Sequence, residues 1–349
     1  MDIQILEGRN VNKMWSIDEI RRIDLELNSI CNGRCPFCAR YLWQVPPRAN
    51  LDYDILTKNL TVDFIRQLDY LTLCGNFGDV VFYKPFLKVL EHIKKSENKN
   101  LVIQVATSGI GHKPDYWKKV AELLSFAPGA YVIFAFDGLE DTHEKYRINI
   151  KWKPAMRNMK AFIDAGGNAV WQFILFKHNE HQIYEAEKLS KELGCIKFKV
   201  KSSRIYNDEF ERPTILPVQT RCEMPDKQEI TCNELIKRKS VYICSDGTVM
   251  PCGYMDHRKY VIDKKLDTLW IGDMKLIMAF HKWKDILNLY NHSLEQVLKS
   301  PFFEFIWNNH KDLKYCNHMC KTDWGDEIWY GGTKALKEYF EKDNNSIRP

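Results

Sequence analysis

Residues 21–38 read Arg21-Arg-Ile-Asp-Leu-Glu-Leu-Asn-Ser-Ile-Cys31-Asn-Gly-Arg-Cys35-Pro-Phe-Cys38. Ile23, Leu25 and Leu27 alternate with polar residues, the period-two pattern of a strand with one apolar face. The strand runs directly into three closely spaced cysteines. Outward from this stretch the pattern repeats. Helical spacing over 56–68 leads to a short strand at 70–73 and the loop Cys74-Gly-Asn-Phe-Gly-Asp79. Helices are expected at 86–95, 115–124, 154–165 and 180–193. Strands are expected at 101–106, 131–136, 169–176 and 196–201. Gly166-Gly167 and Gly194 supply glycine stops to the last two helices. Such alternation implies parallel strands with right-handed crossovers. Six units are too few for a closed eight-unit barrel, so a partial barrel or a doubly wound sheet is expected. In either, chemistry belongs at the C-terminal ends of the strands.

At roughly 150 residues per domain, 349 residues suggest two domains. With 45% hydrophobic and 28% charged residues, wholesale disorder and fibrous folds are excluded. The longest apolar run, Tyr131-Val-Ile-Phe-Ala-Phe136, is strand-sized, far short of the roughly 18 residues that cross a bilayer. Met1-Asp-Ile-Gln-Ile-Leu-Glu7 lacks the features of a secretory signal, so a cytoplasmic location without a membrane partner is expected. The net charge of +5, from 51 basic and 46 acidic side chains, is too balanced to argue for nucleic acid. Small molecules and peptides remain as ligands.

Beyond about residue 206 the alternation stops. Residues 206–226 are irregular, with three prolines. Segments 241–243 and 248–250 flank Ser245-Asp246-Gly247, a hairpin signal. Helices are expected at 267–289, 293–307 and 333–341. The chain thus divides into an N-terminal extension (1–20), an α/β barrel domain (21–208) and a C-terminal hairpin-plus-helices domain (209–349).

Eleven cysteines, an odd number, make a disulfide framework an unlikely use in a reducing compartment. Clustered cysteines there indicate metal or redox chemistry. Cys31, Cys35 and Cys38 give C-x3-C-x2-C. Three thiolates on one loop suit three corners of a [4Fe–4S] cube, leaving the fourth iron open. Two other readings are three buried cysteines at a strand end and a zinc site. Zinc would want a fourth ligand nearby, and no cysteine follows before Cys74.

This motif, directly after the first strand and with an aromatic before its last cysteine, resembles the signature of radical S-adenosylmethionine (SAM) enzymes. The resemblance implies a partial (β/α)6 barrel and a [4Fe–4S] cluster whose open iron chelates the amino and carboxylate groups of SAM. It implies an electron donor such as flavodoxin or ferredoxin. It also implies reductive cleavage of SAM to a 5′-deoxyadenosyl radical that abstracts hydrogen from substrate. By position Phe37 falls near the adenine. Gly78-Asp79 stands where the family carries Gly-Glu, on the loop that holds the SAM amino group, with Asn76 in place of a usual glycine and Val80 in place of the proline. Thr107-Ser108-Gly109 resembles the Thr-Asn-Gly that ends the third strand. Ala135-Phe-Asp-Gly138, then His143 and Arg147, resembles the Ser-x-Asp-Gly…His…Arg run of the subgroup with an extra C-terminal cluster domain. That run assigns the SAM carboxylate to Arg147, without the serine; the plain alternative is a surface charge on a helix.

Cys232, fourteen residues, Gly247, four residues, Cys252, and then the late pair Cys316 and Cys320 resemble the C-terminal domains called SPASM and twitch. A twitch-type set implies one auxiliary [4Fe–4S] cluster on Cys232, Cys252, Cys316 and Cys320. A two-cluster SPASM set, or a zinc or purely structural site, are the alternatives. Gly247 turns the hairpin and brings Cys252 back towards Cys232. Cys316 and Cys320 are one helical turn apart.

The resemblance implies oxidation (dehydrogenation) of a small-molecule or peptide substrate, with peptide epimerisation or cross-linking as the alternative. A non-enzymatic iron–sulfur or zinc protein is the reading from another class. Where sulfatase-maturating relatives carry an aspartate base after the equivalent of Cys252, this chain has Gly253, which argues against that activity. Only about twenty residues precede the first strand, too few for a peptide-leader domain, so a compact substrate is favoured. Cys74 and Cys222 are candidate hydrogen-atom donors, with burial as small apolar residues the plainer reading. Lys197, Lys199 and Lys201 are candidates to anchor a phosphate or carboxylate at the barrel mouth, with lysines that blunt the edge of the sheet the plainer reading. Arg204, just past the sixth strand, is the candidate substrate ligand.

Overall fold

The computed structural model describes residues 15–42, 49–203, 205–214, 232–256, 274–313, 316, 320 and 330–331. Six parallel strands form the scaffold: β1 (Arg22–Leu25), β2 (Tyr70–Leu73), β3 (Val102–Thr107), β4 (Tyr131–Ala135), β5 (Ala169–Leu175) and β6 (Lys197–Ser202). Helices Phe86–Lys94, Pro114–Leu124, Trp152–Asp164 and Ile183–Glu192 form the crossovers. The expected strands are therefore present within a residue or two. The sheet is open, with the order β8-β7-β1-β2-β3-β4-β5-β6-β9 among the described residues, a partial barrel rather than a closed one.

Ile23, Leu25, Leu71, Leu73, Ile103 and Val105 are buried against the outer helices. Aromatic residues fill the gap between the central strands and those helices. Phe134 lies 5.1 Å from Trp117 and 5.7 Å from Phe162, ring centre to ring centre. Trp171 Nε1 satisfies its hydrogen-bonding need by donating to Phe136 O at 3.0 Å.

The hairpin β7 (Ser240–Ile243) and β8 (Val249–Met250) lies in the same sheet. β7 runs parallel to β1, pairing Arg22 with Ser240 and Leu25 with Ile243, and β8 returns antiparallel. Gly247, at φ +84°, makes the turn a side chain would strain. Hydrogen bonding thus runs across the expected boundary near residue 209. At the opposite side, β9 (Tyr330–Gly331) pairs antiparallel with β6 at Lys199 and Val200.

Two expected helices are each broken in two. Residues 56–68 become Tyr53–Asn59 and Val62–Arg66, because Thr61 takes an extended conformation and its Oγ caps Phe64 N at 3.2 Å. Residues 293–307 become Leu294–Leu298 and Pro301–Asn309. Pro301 has no N–H and starts a helix more readily than it continues one. The third C-terminal helix is Met274–Trp283, followed by a 3-10 turn at Lys284–Leu287. The helix expected at 333–341 lies outside the described residues. No described helix is long and apolar enough to cross a membrane.

Candidate active site

The loop carrying Cys31, Cys35 and Cys38 follows β1 and is pinned at several points. Gly33 N–H donates to Cys31 Sγ at 3.3 Å, Arg34 N–H to Ile148 O at 2.9 Å, and Tyr41 Oη to Gly33 O at 3.0 Å. Buried Arg40 joins this loop to the next, donating from Nη1 to Ser29 O and, at 3.1 Å, to Phe77 O. Arg40 was missed in the sequence; its signal was a cation in the first turn after the third cysteine.

The loop after β2 passes so close to the end of β1 that a Cβ on Gly78 would sit 1.9 Å from Asn28 O. Asp79 is fully engaged with its neighbours. Oδ2 accepts from Ser108 N at 2.8 Å and from Ser108 Oγ at 2.6 Å, and Oδ1 accepts from Val81 N at 3.4 Å. Asp79 therefore fastens the second loop to the third. Thr107 Oγ1 accepts from Gly109 N at 3.0 Å and shapes the same corner. Buried Glu26, also missed, accepts from Phe77 N at 2.8 Å and from Ser245 Oγ at 3.3 Å. A carboxylate inside an apolar alternation was its signal.

Arg147 is no surface charge. Its side chain is 15% exposed; Nε donates to Asp137 Oδ2 at 2.6 Å and Nη1 lies 3.8 Å from Cys35 Sγ. Burial opposes the charge on Arg147, but Asp137 and Cys35 outweigh it and raise its pKa. Burial likewise pushes the Asp137 carboxyl up, against the pull of Arg147 and the Ile174 N–H at 2.7 Å. Phe37 joins an aromatic box, with ring centres 5.5 Å from Phe210, 6.1 Å from Tyr146 and 6.4 Å from Phe176. Phe210 comes from the irregular segment after β6, which carries no periodic signal. Lys177 N–H holds that segment by donating to Glu211 O at 3.0 Å.

These parts surround one cavity of about 290 Å³. Cys31, Cys35, Cys38 and Phe37 form one wall; Cys74, Gly78, Asp79, Thr107 and Ser108 a second; Arg147 stands between them. Gln172 and Lys201 line the far side. The edge reading of the β6 lysines does not hold: β9 pairs with β6, Lys201 faces the cavity, and Lys199 Nζ lies 5.7 Å above the Tyr131 ring. Arg204 and Cys222 lie outside the described residues.

Burial pushes the Cys31 thiol up to about 12, with Asp79 adding to it, and raises Cys35 against the effect of Arg147. Burial also takes Cys74 to about 12, Asp24 and Glu26 adding to it. Among the described residues no three His, Cys, Asp or Glu side chains stand as a preformed metal site. The donor set nonetheless fits a [4Fe–4S] cluster: three half-buried thiols border one cavity, and N–H groups of Gly33 and Arg147 are directed at two of the sulfurs. Burial pushes Cys252 well above the ordinary thiol range, and Cys232, Cys320 and Cys316 each add to the shift. Cys232 is raised to about 11, by burial first and then by Cys320, against N–H groups that stabilise its sulfur. Cys244 is fully buried in the core.

A sequence model described as the Radical SAM superfamily matches residues 25–189, the stretch that builds this cavity. Those residues are similar to a radical SAM domain. No curated protein matches the sequence. Among solved structures, anSMEcpe with bound AdoMet is similar over 92% of this chain and 92% of its own, at 14% identity and a TM-score of 0.54. Streptococcus suis SuiB bound to S-adenosylmethionine is similar over 74% of this chain and 70% of its own, at 12% identity and a TM-score of 0.51. At these identities the likeness is one of fold.

Proposed function

We propose that this protein is a radical SAM enzyme that cleaves SAM reductively and removes hydrogen from a small-molecule substrate, oxidising it. The observation that carries the reading is a cavity lined by three half-buried thiols, Phe37, Arg147 and the Asp79–Ser108 clamp. Cys31, Cys35 and Cys38 would hold a [4Fe–4S] cluster. When bound, that cluster supplies the electron for SAM cleavage to the 5′-deoxyadenosyl radical. Arg147 offers a guanidinium, fixed by Asp137, to the SAM carboxylate. The Gly78-Asp79 loop, fixed by Ser108 and shaped by Thr107, frames the space for the amino group, and Phe37 offers an aromatic surface to the adenine. Cys232, Cys252, Cys316 and Cys320 would hold one auxiliary [4Fe–4S] cluster able to accept an electron from an oxidised substrate. Arg204 is the proposed substrate ligand. Cys74, on the cavity wall, and Cys222 are the proposed hydrogen-atom donors should the outcome be redox-neutral. SuiB has been solved with its precursor peptide SuiA bound, which keeps peptide modification as the second reading. A flavodoxin or ferredoxin is the proposed reductant.

The deciding experiment compares the wild-type protein, anaerobically reconstituted and reduced, with the Cys31→Ala/Cys35→Ala/Cys38→Ala variant. Wild type should convert SAM to 5′-deoxyadenosine and the variant should not. Equal formation of 5′-deoxyadenosine by both, or none by the wild type, overturns the reading; the latter returns the protein to a scaffold or electron carrier.

A further inference from the structure

The loop proposed to frame the SAM amino group is tied at two adjacent points to the segment that follows Cys252. Asn76 Nδ2 donates to Gly253 O at 2.8 Å, across 177 residues of sequence. Asn76 N–H is directed at Tyr242 Oη, 3.2 Å away. Gly253 in turn lies flat against the Tyr242 ring, where a Cβ would come within 2.9 Å. The next residue, Phe77, donates its N–H to Glu26, whose other oxygen takes the Ser245 hydroxyl of the hairpin turn. A two-residue stretch of the loop therefore takes its position from β7 and from the residue after a C-terminal cysteine. Gly78 and Asp79 follow immediately, and their Cα positions are not adjustable: Gly78 is against Asn28 O and Asp79 is locked to Ser108.

Resting on the function proposed above, we propose that Asn76 is a positioning residue. Its side chain fixes the SAM-binding loop to the backbone beside Cys252, so that the ordering of the C-terminal cysteine region sets the affinity of the cavity for SAM. Asn76 needs no contact with SAM for this. A side-chain amide donor reaching a backbone carbonyl is lost with either alanine or aspartate, the latter placing an acceptor against an acceptor.

The test measures SAM binding by equilibrium dialysis with anaerobically reconstituted protein, and the effect of SAM on the electron paramagnetic resonance spectrum of the reduced protein. Asn76→Ala should raise the Kd for SAM about fivefold, the equivalent of one neutral hydrogen bond, and Asn76→Asp by at least as much. Tyr242→Phe, which keeps the ring on Gly253, should raise it by a smaller factor. In a Cys252→Ser background, where the segment beside Gly253 has lost its anchor, SAM should bind more weakly and Asn76→Ala should add no further factor. An unchanged Kd in Asn76→Ala, with iron content and melting temperature as in wild type, overturns the inference. So does the same fivefold factor in both backgrounds, which would make Asn76 a direct SAM ligand. If wild type binds no SAM, it is the proposed function that fails. If wild type binds SAM and Asn76→Ala binds it equally, only the positioning role fails.

Discussion

Replacing Arg147 with methionine removes the cation from a buried pair and leaves Asp137 behind. Asp137 is fully buried and Arg147 nearly so, and Nε and Oδ2 are 2.6 Å apart. Removing one partner of such a pair costs about 3–5 kcal/mol, because the remaining charge is uncompensated. Asp137 keeps its bond from Ile174 N–H at 2.7 Å, which places the expected loss near the lower end, about 3 kcal/mol. At an m-value of about 3 kcal/mol/M in urea the unfolding midpoint should fall by about 1 M. The loss should also depend on pH, with a sign fixed by the direction of the shift. Burial raises the Asp137 pKa in the folded protein, and Arg147 opposes that rise. Without Arg147 the pKa rises further. A carboxyl whose folded pKa exceeds its unfolded one favours folding below the unfolded pKa and loses that contribution as pH rises through the folded value. Arg147→Met should therefore be closer to wild type on the acid side of neutrality than on the alkaline side. Asp137→Asn/Arg147→Met should recover most of the stability on both. Urea titrations followed by tryptophan fluorescence supply the numbers. A loss below about 1 kcal/mol, the range of an exposed pair, or a loss equal on both sides of neutrality refutes the account of a buried, mutually dependent pair.

Reconstituted wild-type protein should hold about eight irons, two cubes of four, and the variant lacking Cys31, Cys35 and Cys38 about four; colorimetric iron analysis distinguishes this from about eight in the variant, which indicates two auxiliary clusters. Gly78→Ala should abolish SAM binding in equilibrium dialysis, since its Cβ would fall 1.9 Å from a backbone oxygen that cannot swing aside; near-wild-type affinity would show that the loop is not held as described. Mass spectrometry of the product should show loss of two hydrogens. An unchanged mass with one solvent deuterium incorporated would point instead to epimerisation and to a thiol donor such as Cys74.

Strands β2, β4 and β5 are legible in the sequence because parallel strands buried on both faces appear as short apolar runs between glycine-rich or polar loops, and β3 and β6 because buried residues alternate along them. The site residues at strand ends, Cys31 to Cys38, Asp79, Thr107 and Arg147, were legible for the same reason: they follow recognisable strands. The helix breaks at Thr61 and Pro301 had local signals that the apolar periodicity outweighed. What had no local trace was the long-range pairing. Nothing in 240–243 announces that it will lie against β1, or in 330–331 that it will cover β6. The lysine alternation of β6 by itself fits an edge strand, although Lys201 faces the cavity. Glu26 and Arg40 acquire their roles only once two loops and a hairpin meet, so neither could be assigned from spacing.

The pairing of β7 with β1 bears on how the two cysteine sets could work together. Domains joined by a linker and a modest interface move relative to one another by default. Here the first cysteine loop leaves β1, and Cys232 and Cys252 flank a hairpin hydrogen-bonded to that strand over four register pairs. Glu26 and Asn76 tie the same hairpin and Gly253 to the loop after β2. Relative movement of β1 and the hairpin would require breaking the β7–β1 strand pairing, not opening an interface. If both sets hold clusters as proposed, their separation is set by strand register and does not vary during turnover. A fixed separation suits passage of an electron out of an oxidised substrate. Redox-neutral chemistry would not need it, so the fixed pairing is compatible with the oxidation proposed above.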